Sequence, residues 1–529
     1  MRDQRRLPTG STAVAFTAAA AGILVAGLWA GLAQLGLATY PPFDLADLLI
    51  RASPGGLATW AIETFGHTAK RLLLAGGVLL WVAAWPALTL AVGRDRERPG
   101  MITAAISFAA GFGLAWWDGA QGGQLAWLVI TLGLPAALGG LLLDRWLAGL
   151  KALDAERTRE ASDHWIDQPG DYGRRELLGR IALLTLGLGL GGVAIGRALS
   201  WLSGPETPTE AGEPLAAVAA SPEPSVATPA TSGFIAPDGV PPRYTDNAAF
   251  YRVDISTRAP NINQDSWSLT IAGQVDREVV LAWQDLLAMP AVTQDGTLMC
   301  ISFTYDSGLI STTHWTGVPL RDVLQRAGIG DGVARLVCHG AGGYSDSIPL
   351  AKALDPRTLL AYGMDGTTLP RNHGFPCRLY IPDLYGEKNV KWLERIELID
   401  ADYRGYWQER GWTNDATIQI ISTIETPRGT VTPGADGIVP LGGIAFAGSR
   451  GIQLVEVRID DGPWQPAEIE PYQPELVWQR WRYDWRPAAG RYRVTARATD
   501  GTGALQIAAE TDPHPDGMTG YQTVRLEVA

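Results

Sequence analysis

The centre of the chain contains the stretch GTLMCISFTYDSGLISTTHWTGVPL, residues 296–320, with one cysteine, Cys300. Its neighbours are apolar and β-prone residues, among which a cysteine can serve simply as core filling. The whole chain has three cysteines in 529 residues, so they cannot all pair with one another, and a disulfide scaffold is excluded. The role of Cys300 therefore depends on its compartment and on the residues that accompany it further along the chain.

Composition divides the chain into an apolar first part and a mixed second part. A chain of 529 residues is too long for one hydrophobic core and predicts several domains. Leu, Ala, Gly and Val dominate residues 1–200, whereas Trp, Tyr, Asp and Pro are frequent in the remainder. The net charge of −12 gives no sign of nucleic-acid binding.

The first part contains five apolar segments, each near the length of about 20 residues that a helix needs to cross a bilayer. A buried helical bundle in a soluble protein is the alternative, but five uncharged runs with short polar links argue against it. The predicted transmembrane helices cover residues 13–37, 72–92, 101–117, 124–143 and 177–199.

The distribution of Lys and Arg predicts the orientation of these spans in the membrane. Lys and Arg concentrate on one predicted face, at Arg2, Arg5, Arg6, Arg94, Arg96, Arg98, Arg145, Lys151, Arg157, Arg159, Arg174 and Arg175. The opposite face carries Arg51, Lys70 and Arg71. The positive-inside rule therefore places the N-terminus in the cytoplasm, and five spans place the residues after 199 outside it, at the cell (inner) membrane.

The last span opens with YGRRELLGRIALLTLGLGLGG, residues 172–192. Arg174 and Arg175 followed by a moderately apolar helix resemble a twin-arginine export signal. They are equally well interpreted as cytoplasmic anchors at the end of a span. Haem is not predicted in the spans, because a b-type haem usually needs facing histidines, and His67 and His164 fall on opposite predicted faces of the membrane.

After the spans, the chain divides into a linker and a folded part. Residues 201–243 are rich in Pro, Ala, Ser, Thr and Glu without periodicity, which predicts a disordered tether. Residues 244–412 mix short strands with helices, and residues 413–529 show strand-like segments with Asp-Gly turns. The last segment is typical of an antiparallel β-sandwich.

Four basic side chains, His373, Arg378, Lys388 and Lys391, follow one another within residues 373–391. Cations on loops at strand ends suit a phosphate or another anion. A solvated charged face is the other interpretation of such a run.

Cys300 and these basic residues belong to a set of motifs that resembles a known enzyme family. Residues from 250 to 528 resemble the sulfite oxidase family of molybdenum enzymes, which carry a single pterin dithiolene (molybdopterin). The motifs stand in the family's order: FYRVDIS (250–256), the Cys300 segment, HWTGVPLRDVL (314–324), GGYSDSIPL (342–350), HGFPCRLYIP (373–382) and GEKNVKWLERIEL (386–398). The resemblance implies an α+β molybdopterin-binding domain followed by an Ig-like β-sandwich, which mediates dimers in relatives.

The resemblance also implies roles for individual residues. Cys300 matches the one protein ligand to molybdenum, where a soft thiolate suits the metal. Arg252 is also placed near the metal oxo group, where a cation would attract an anionic substrate. The positions that match cofactor-contacting residues are Tyr251, Arg252, His373, Arg378, Asn389, Val390 and Lys391.

The substrate site departs from the family's pattern. Animal and plant sulfite oxidases have an arginine soon after the ligand cysteine, and CISFTYD (300–306) has none. Their tyrosine near the metal corresponds to Trp412 in YWQERGWTND (406–415). Sulfite oxidation, sulfoxide reduction and nitrate reduction all stay open, as does a non-enzymatic binding module that has lost its metal. We expect a small-molecule substrate and, without haem, a separate electron carrier, either a cytochrome or a quinone-linked protein.

The remaining cysteines, Cys338 and Cys377, lie in predicted strands, where a small apolar side chain fits a core. A disulfide between them is the alternative outside the cytoplasm. A pterin domain completed in the cytoplasm would have to cross the membrane folded, which favours the export interpretation of Arg174 and Arg175.

Overall fold

The computed structural model describes residues 9–34, 40–53, 57, 67–93, 96–117, 123–163, 212–213, 215, 233–255, 259–471 and 475–529. They belong to two compact units. Residues 1–208 with 255–257 form the first, which we call the helical unit. Residues 209–254 with 258–529 form the second, the sheet unit.

The described helices of the helical unit are α1 (Thr9–Gln34), α2 (Pro41–Ala52), α3 (His67–Val92), α4 (Pro99–Trp117) and α5 (Gly123–Asp163). Four apolar segments among them are long enough to cross a membrane: Ala13–Ala33, Leu72–Val92, Pro99–Trp116 and Leu128–Ala152. The structure thus confirms four of the expected apolar helices, by length and composition. The expected fifth span, with Arg174 and Arg175, lies outside the described residues.

Two features of the helical unit differ from the sequence prediction. Helix α5 does not end at residue 143 but continues to Asp163, because the polar continuation contains several Ala, Leu, Arg and Glu residues, which favour helix. Helix α2 was not predicted. It begins at Pro41, where the fixed φ of proline suits a first helical turn.

Small residues bring α4 and α5 together. The main-chain N–H groups of Gly100 and Met101 donate to the carboxylate of Asp144, at 2.6 and 3.1 Å. A Cβ atom on Gly100 would lie only 2.4 Å from the carbonyl oxygen of Gly140. Asp144 on α5 therefore caps the first turn of α4, and glycine permits the close approach.

The first region of the sheet unit contains ten strands: β1 (Ser268–Gly273), β2 (Val279–Ala282), β3 (Val292–Met299), β4 (Ile310–Pro319), β5 (Arg335–Gly340), β6 (Tyr344–Pro349), β7 (Leu359–Met364), β8 (Thr367–Thr368), β9 (Arg378–Tyr380) and β10 (Leu393–Ile399). Three short helices accompany them: α6 (Trp283–Leu287), α7 (Leu320–Ala327) and α8 (Leu350–Ala353). One sheet has the order β2-β1-β10-β5-β6 and the other β3-β4-β7-β8, with β9 paired to β7. Apart from the parallel pair β1–β10, the ladders are antiparallel, which agrees with the predicted α+β class.

The second region consists of β11 (Ile421–Ser422), β12 (Gly429–Val431), β13 (Val439–Phe446), β14 (Ile452–Ile459), β15 (Gln465–Pro466), β16 (Glu468–Ile469), β17 (Gln479–Trp485), β18 (Gly490–Asp500) and β19 (Thr523–Val528). They form sheets of order β11-β13-β17-β16 and β12-β19-β18-β14-β15. Inward-facing residues of both sheets, such as Leu441, Trp481, Val455 and Val494, belong to one buried core. The Ig-like topology stays a prediction.

Part of the predicted linker is bound to the sheet unit. Arg482 donates to the carbonyl oxygen of Ile235 at 3.0 Å, and Arg243 pairs with Glu470 at 2.6 Å. Gly442 leaves space for Pro237, since a Cβ atom there would lie 2.8 Å from its ring. Residues 233–243 therefore lie along the sheets rather than apart from them.

Cys338 and Cys377 are free and fully buried, and both belong to the main core of the first region. The structure therefore supports core filling for these two cysteines and shows no disulfide between them.

Candidate active site

Cys300 lies directly after β3, in the turn that leads to β4. Its N–H donates to the carbonyl oxygen of Leu309 at 3.0 Å, and its own carbonyl accepts from Phe303 at 3.0 Å. Burial, and then the charge of Glu387, raises the pKa of the Cys300 thiol to about 12. A thiol of this kind stays protonated at neutral pH unless a metal displaces the proton.

Arg378, on β9, is a buried cation held by main-chain carbonyls. Its guanidinium donates to the carbonyl oxygens of Leu379, His373 and Asn389 at 3.2, 3.0 and 3.2 Å. Burial lowers its pKa to about 10, so it is still charged at neutral pH. Among the described residues no carboxylate pairs with it. A buried charge of this kind calls for an anionic partner.

His373 lies beside Arg378 but is not a second cation. It ends a 3₁₀ turn, Arg371–His373, and its ring packs edge-on against Phe250 at 5.4 Å. Burial, followed by the charge of Arg378, lowers its pKa to about 4. The imidazole is therefore neutral at physiological pH and can offer a hydrogen bond rather than a charge.

Asp254, which the sequence analysis did not identify, is the shared ion-pair partner of Lys391 and Arg252. Both side chains form ion pairs with its carboxylate, and Lys391 also donates to the carbonyl oxygen of Val253 at 3.1 Å. The side chain of Asp254 is almost fully buried. A phosphate that binds Lys391 would therefore compete with Asp254 for it.

Asn389 and Val390 shape the loop rather than presenting side chains to a ligand. The Asn389 side chain accepts from the N–H of Ile381 at 2.6 Å and donates to the carbonyl oxygen of Tyr385 at 3.0 Å. The carbonyl of Val390 accepts from Leu379 at 2.9 Å. These bonds fix the main chain that cradles Arg378, and cofactor contact by this loop stays a prediction.

Tyr251 is influenced by both Cys300 and Arg378. Its N–H donates to the hydroxyl of Ser311 at 3.1 Å. A Cβ atom on Gly386 would lie 2.6 Å from the Tyr251 hydroxyl oxygen, so a side chain there would displace the Tyr251 ring. Burial raises the pKa of Tyr251, Cys300 raises it further and Arg378 lowers it. The charges of both Cys300 and Arg378 therefore act on the Tyr251 hydroxyl.

The position of Lys388 differs from the predicted anion site formed by the four basic residues of 373–391. It is fully buried and bonds Asp346, Asn414 and the carbonyl of Ser347, at 2.7, 2.9 and 3.2 Å. It therefore belongs to an internal ion pair and not to an anion site, because its charge is already balanced.

Replacing Lys388 with methionine should lower the free energy of unfolding of the sheet unit by about 3–5 kcal/mol, because Asp346 would remain buried without its cation. The double variant Lys388→Met/Asp346→Asn should recover much of this loss. Urea unfolding of the full chain, followed by tryptophan fluorescence, measures both. Equal stability of the single variant and the wild type would contradict the assignment.

A stacked aromatic wall contains Trp412, the residue at the family's tyrosine position. Trp407 and Trp412 stack at 4.1 Å, and Trp412 stacks on His514 at 4.5 Å. His514 Nε2 lies 2.8 Å from the Ser302 hydroxyl, two residues after Cys300. Sequence reasoning missed His514, since nothing in its local sequence links it to a cysteine over two hundred residues earlier.

The arrangement fits a molybdenum pterin at both of its ends. Arg378 is a buried cation that would suit a phosphate, and Cys300 is a soft side chain that would suit the metal. Within the described parts of the chain, no group of three or more His, Cys, Asp or Glu side chains could hold a metal ion. A single thiolate is compatible with a cofactor that brings its own dithiolene ligands.

Comparison with known proteins places the site in a family context. Residues 256–407 match the oxidoreductase molybdopterin binding domain. The chain is 29% identical to the mitochondrial sulfite oxidase of Drosophila melanogaster over 348 residues, 54% of this chain and 59% of the fly protein. It is 29% identical to the NAD(P)H nitrate reductase of Hordeum vulgare over 317 residues, 49% of this chain and 34% of that enzyme.

The chain thus spans only part of the length of the relatives it matches. Among solved structures, the sulfane dehydrogenase SoxCD of Paracoccus pantotrophus aligns with a TM-score of 0.44 and 23% identity, over 51% of this chain and 77% of that one.

Proposed function

The chain belongs to the sulfite oxidase family of molybdopterin oxidoreductases, and from that premise we propose that it is a membrane-anchored enzyme that transfers an oxygen atom at a mononuclear molybdenum centre. The observation that carries the proposal is that a buried Cys300 and a buried Arg378 without a carboxylate partner among the described residues both act on the pKa of Tyr251. A phosphate at one end and a metal at the other satisfy both groups.

In this proposal, Cys300 would hold the molybdenum of the cofactor, and that metal would supply the two-electron redox chemistry. Arg378 binds the phosphate, with Lys391 as a second partner once it leaves Asp254. His373, neutral, hydrogen-bonds the pterin, while Asn389 and Val390 hold the loop that closes over it. Arg252 and Tyr251 complete the site on the side of the metal.

The proposed reaction is oxygen-atom transfer to or from a small oxyanion or sulfur compound. In the oxidative direction, sulfite and water give sulfate, two protons and two electrons. Reduction of a sulfoxide or of nitrate is the alternative within the same chemistry. In either direction, a separate carrier, a cytochrome or a quinone-linked protein, exchanges the electrons.

The setting of the enzyme belongs to the same proposal. The apolar helices anchor residues 1–200 in the inner membrane, and residues 201–243 connect them to the catalytic domain, with 233–243 bound along the sheets. The catalytic domain, residues 244–412, works outside the cytoplasm. Residues 413–529 form an Ig-like domain suited to dimers. Arg174 and Arg175 would serve as the signal for export of the folded catalytic domain.

The test is metal and pterin analysis of the full chain purified in detergent. We expect one molybdenum and one pterin per chain, together with oxygen-atom transfer that uses an artificial electron carrier. A chain that is folded but free of molybdenum after expression in cells that make the cofactor would support the metal-free binding module instead.

A further inference from the structure

His514 lies in the second region, between β18 and β19, yet it contacts the turn that carries Cys300 in the first region. Its Nε2 atom lies 2.8 Å from the hydroxyl oxygen of Ser302. The two residues are 212 positions apart in the chain, so the fold alone brings them together. The roles that the family resemblance implies do not include His514 or Ser302.

Ser302 belongs to the tight turn that presents Cys300. The N–H of Phe303 donates to the carbonyl oxygen of Cys300 at 3.0 Å and closes the turn. Ser302 is the third of its four residues, so a bond that holds the serine side chain also restrains the main chain next to Cys300. Burial and the charge of Glu387 raise the pKa of the Cys300 thiol, whereas hydrogen bonding from the N–H and hydroxyl of Ser302 lowers it.

The imidazole of His514 is itself held in place. It stacks on the indole of Trp412, with 4.5 Å between ring centroids, and Trp412 stacks on Trp407 at 4.1 Å. The N–H of Thr413, the residue after Trp412, donates to the carbonyl oxygen of Pro515, the residue after His514, at 3.1 Å. A ring fixed by stacking and by the adjacent main chain is suited to orienting another side chain.

A second contact holds the loop of residues 300–309 to the second region. The hydroxyl of Tyr305 donates to the carbonyl oxygen of Gly520 at 2.6 Å, and the side chain of Gln506 donates to that hydroxyl at 3.3 Å. Tyr305 thus fastens the loop at a point five residues from Cys300, whereas His514 binds the serine that acts on the thiol. The two contacts allow anchoring of the loop to be distinguished from control of the sulfur.

The direction of the bond between His514 and Ser302 follows from the chemistry of a hydroxyl. The Ser302 hydroxyl has one proton to donate and lone pairs to accept. If that proton points to the sulfur of Cys300, the bond to His514 requires an imidazole whose Nε2 carries a proton and donates it. A histidine in this tautomer therefore leaves the serine proton for the sulfur.

We infer that His514 is a positioning residue of the molybdenum site: through Ser302 it holds the turn of Cys300 and directs the serine proton to the ligand sulfur. The inference rests on the proposed function. A hydrogen bond to a thiolate withdraws electron density from it, and such bonds raise the reduction potential of the metal that the sulfur holds.

The test compares molybdenum-loaded full chains by the visible absorption of the metal–thiolate centre and by redox titration. His514→Phe keeps a ring that can stack on Trp412 but removes the hydrogen bond. It should move the thiolate band to longer wavelength, lower the reduction potential and slow turnover about 10–100-fold. His514→Gln, whose amide can donate near the position of Nε2, should restore the band and the potential in part.

Ser302→Ala tests the same bond from its other end and should reproduce the shifts of the band and the potential. Adding His514→Phe to Ser302→Ala should shift neither of them further, because both changes interrupt one chain of hydrogen bonds.

Tyr305→Phe is the matched control. It removes a hydrogen bond between the same loop and the second region, and should leave the band and the potential unchanged. An unshifted band and potential in both His514→Phe and Ser302→Ala, or an equal shift in Tyr305→Phe, would overturn the inference and leave the proposed function standing. Absence of molybdenum from the wild type would overturn the proposed function itself, and the inference with it.

Discussion

Replacing Cys300 with serine is expected to abolish oxygen-atom transfer while the sheet unit stays folded. Serine has nearly the same size, but its hydroxyl is a harder and less easily deprotonated ligand than a thiol. The metal would lose its soft protein ligand, and its redox poise would change. The phosphate contacts of Arg378 would remain, so the pterin should be retained. Molybdenum content, the visible absorption of the centre and turnover of sulfite and of a sulfoxide measure the effect.

Cys338→Ser is the matched control for this prediction, because Cys338 is also buried but lies in the core of the first region. It should keep activity and lose about 1–3 kcal/mol of stability, since a hydroxyl replaces a small apolar group there. If Cys300 were only core filling, its serine variant would behave in the same way. Full activity of Cys300→Ser would remove the main support for an enzyme.

The parts of the fold that sequence could predict are those that depend on local pattern. Apolar runs of sufficient length gave four helices, and short strands with turns gave a sheet-rich second half. The end of α5 at Asp163 was missed because hydropathy marks where a membrane could end and not where a helix does. Helix α2 was missed because it is short and carries Asp44 and Asp47 within an otherwise apolar face.

In the candidate site, too, local motifs could be predicted from the sequence, whereas contacts between distant segments could not. Sequence order placed Cys300, His373, Arg378 and Lys391 in one motif set, and the structure brings the last three to one region. The sequence could not show that Lys388 pairs with the buried Asp346 or that Lys391 pairs with Asp254, because these partners come from distant segments. Glu387 was passed over because a charged residue between Gly386 and Lys388 is usually solvated, and only the folded turn reveals its burial.

Replacing Arg378 with alanine is expected to release the pterin. Charge-assisted hydrogen bonds contribute about 1.5–3 kcal/mol each, so losing a guanidinium that contacts phosphate should weaken cofactor retention by one to several factors of about ten. Lys391→Ala should have a smaller effect, because Lys391 already has Asp254 as a partner and gains less from the phosphate. Arg378→Lys should be intermediate, since it keeps the charge but loses the planar fork of donors.

The cost to the fold should be small by comparison. Arg378 without the cofactor is a buried cation whose partners are carbonyl oxygens and the ring of Trp315, and removing such a charge relieves its desolvation. Arg450→Ala is the control, because Arg450 is a partly buried arginine paired with Asp500 in the second region. Pterin and molybdenum per chain after gel filtration give the result. Unchanged cofactor content in the Arg378→Ala/Lys391→Ala double variant would show that neither residue binds the phosphate.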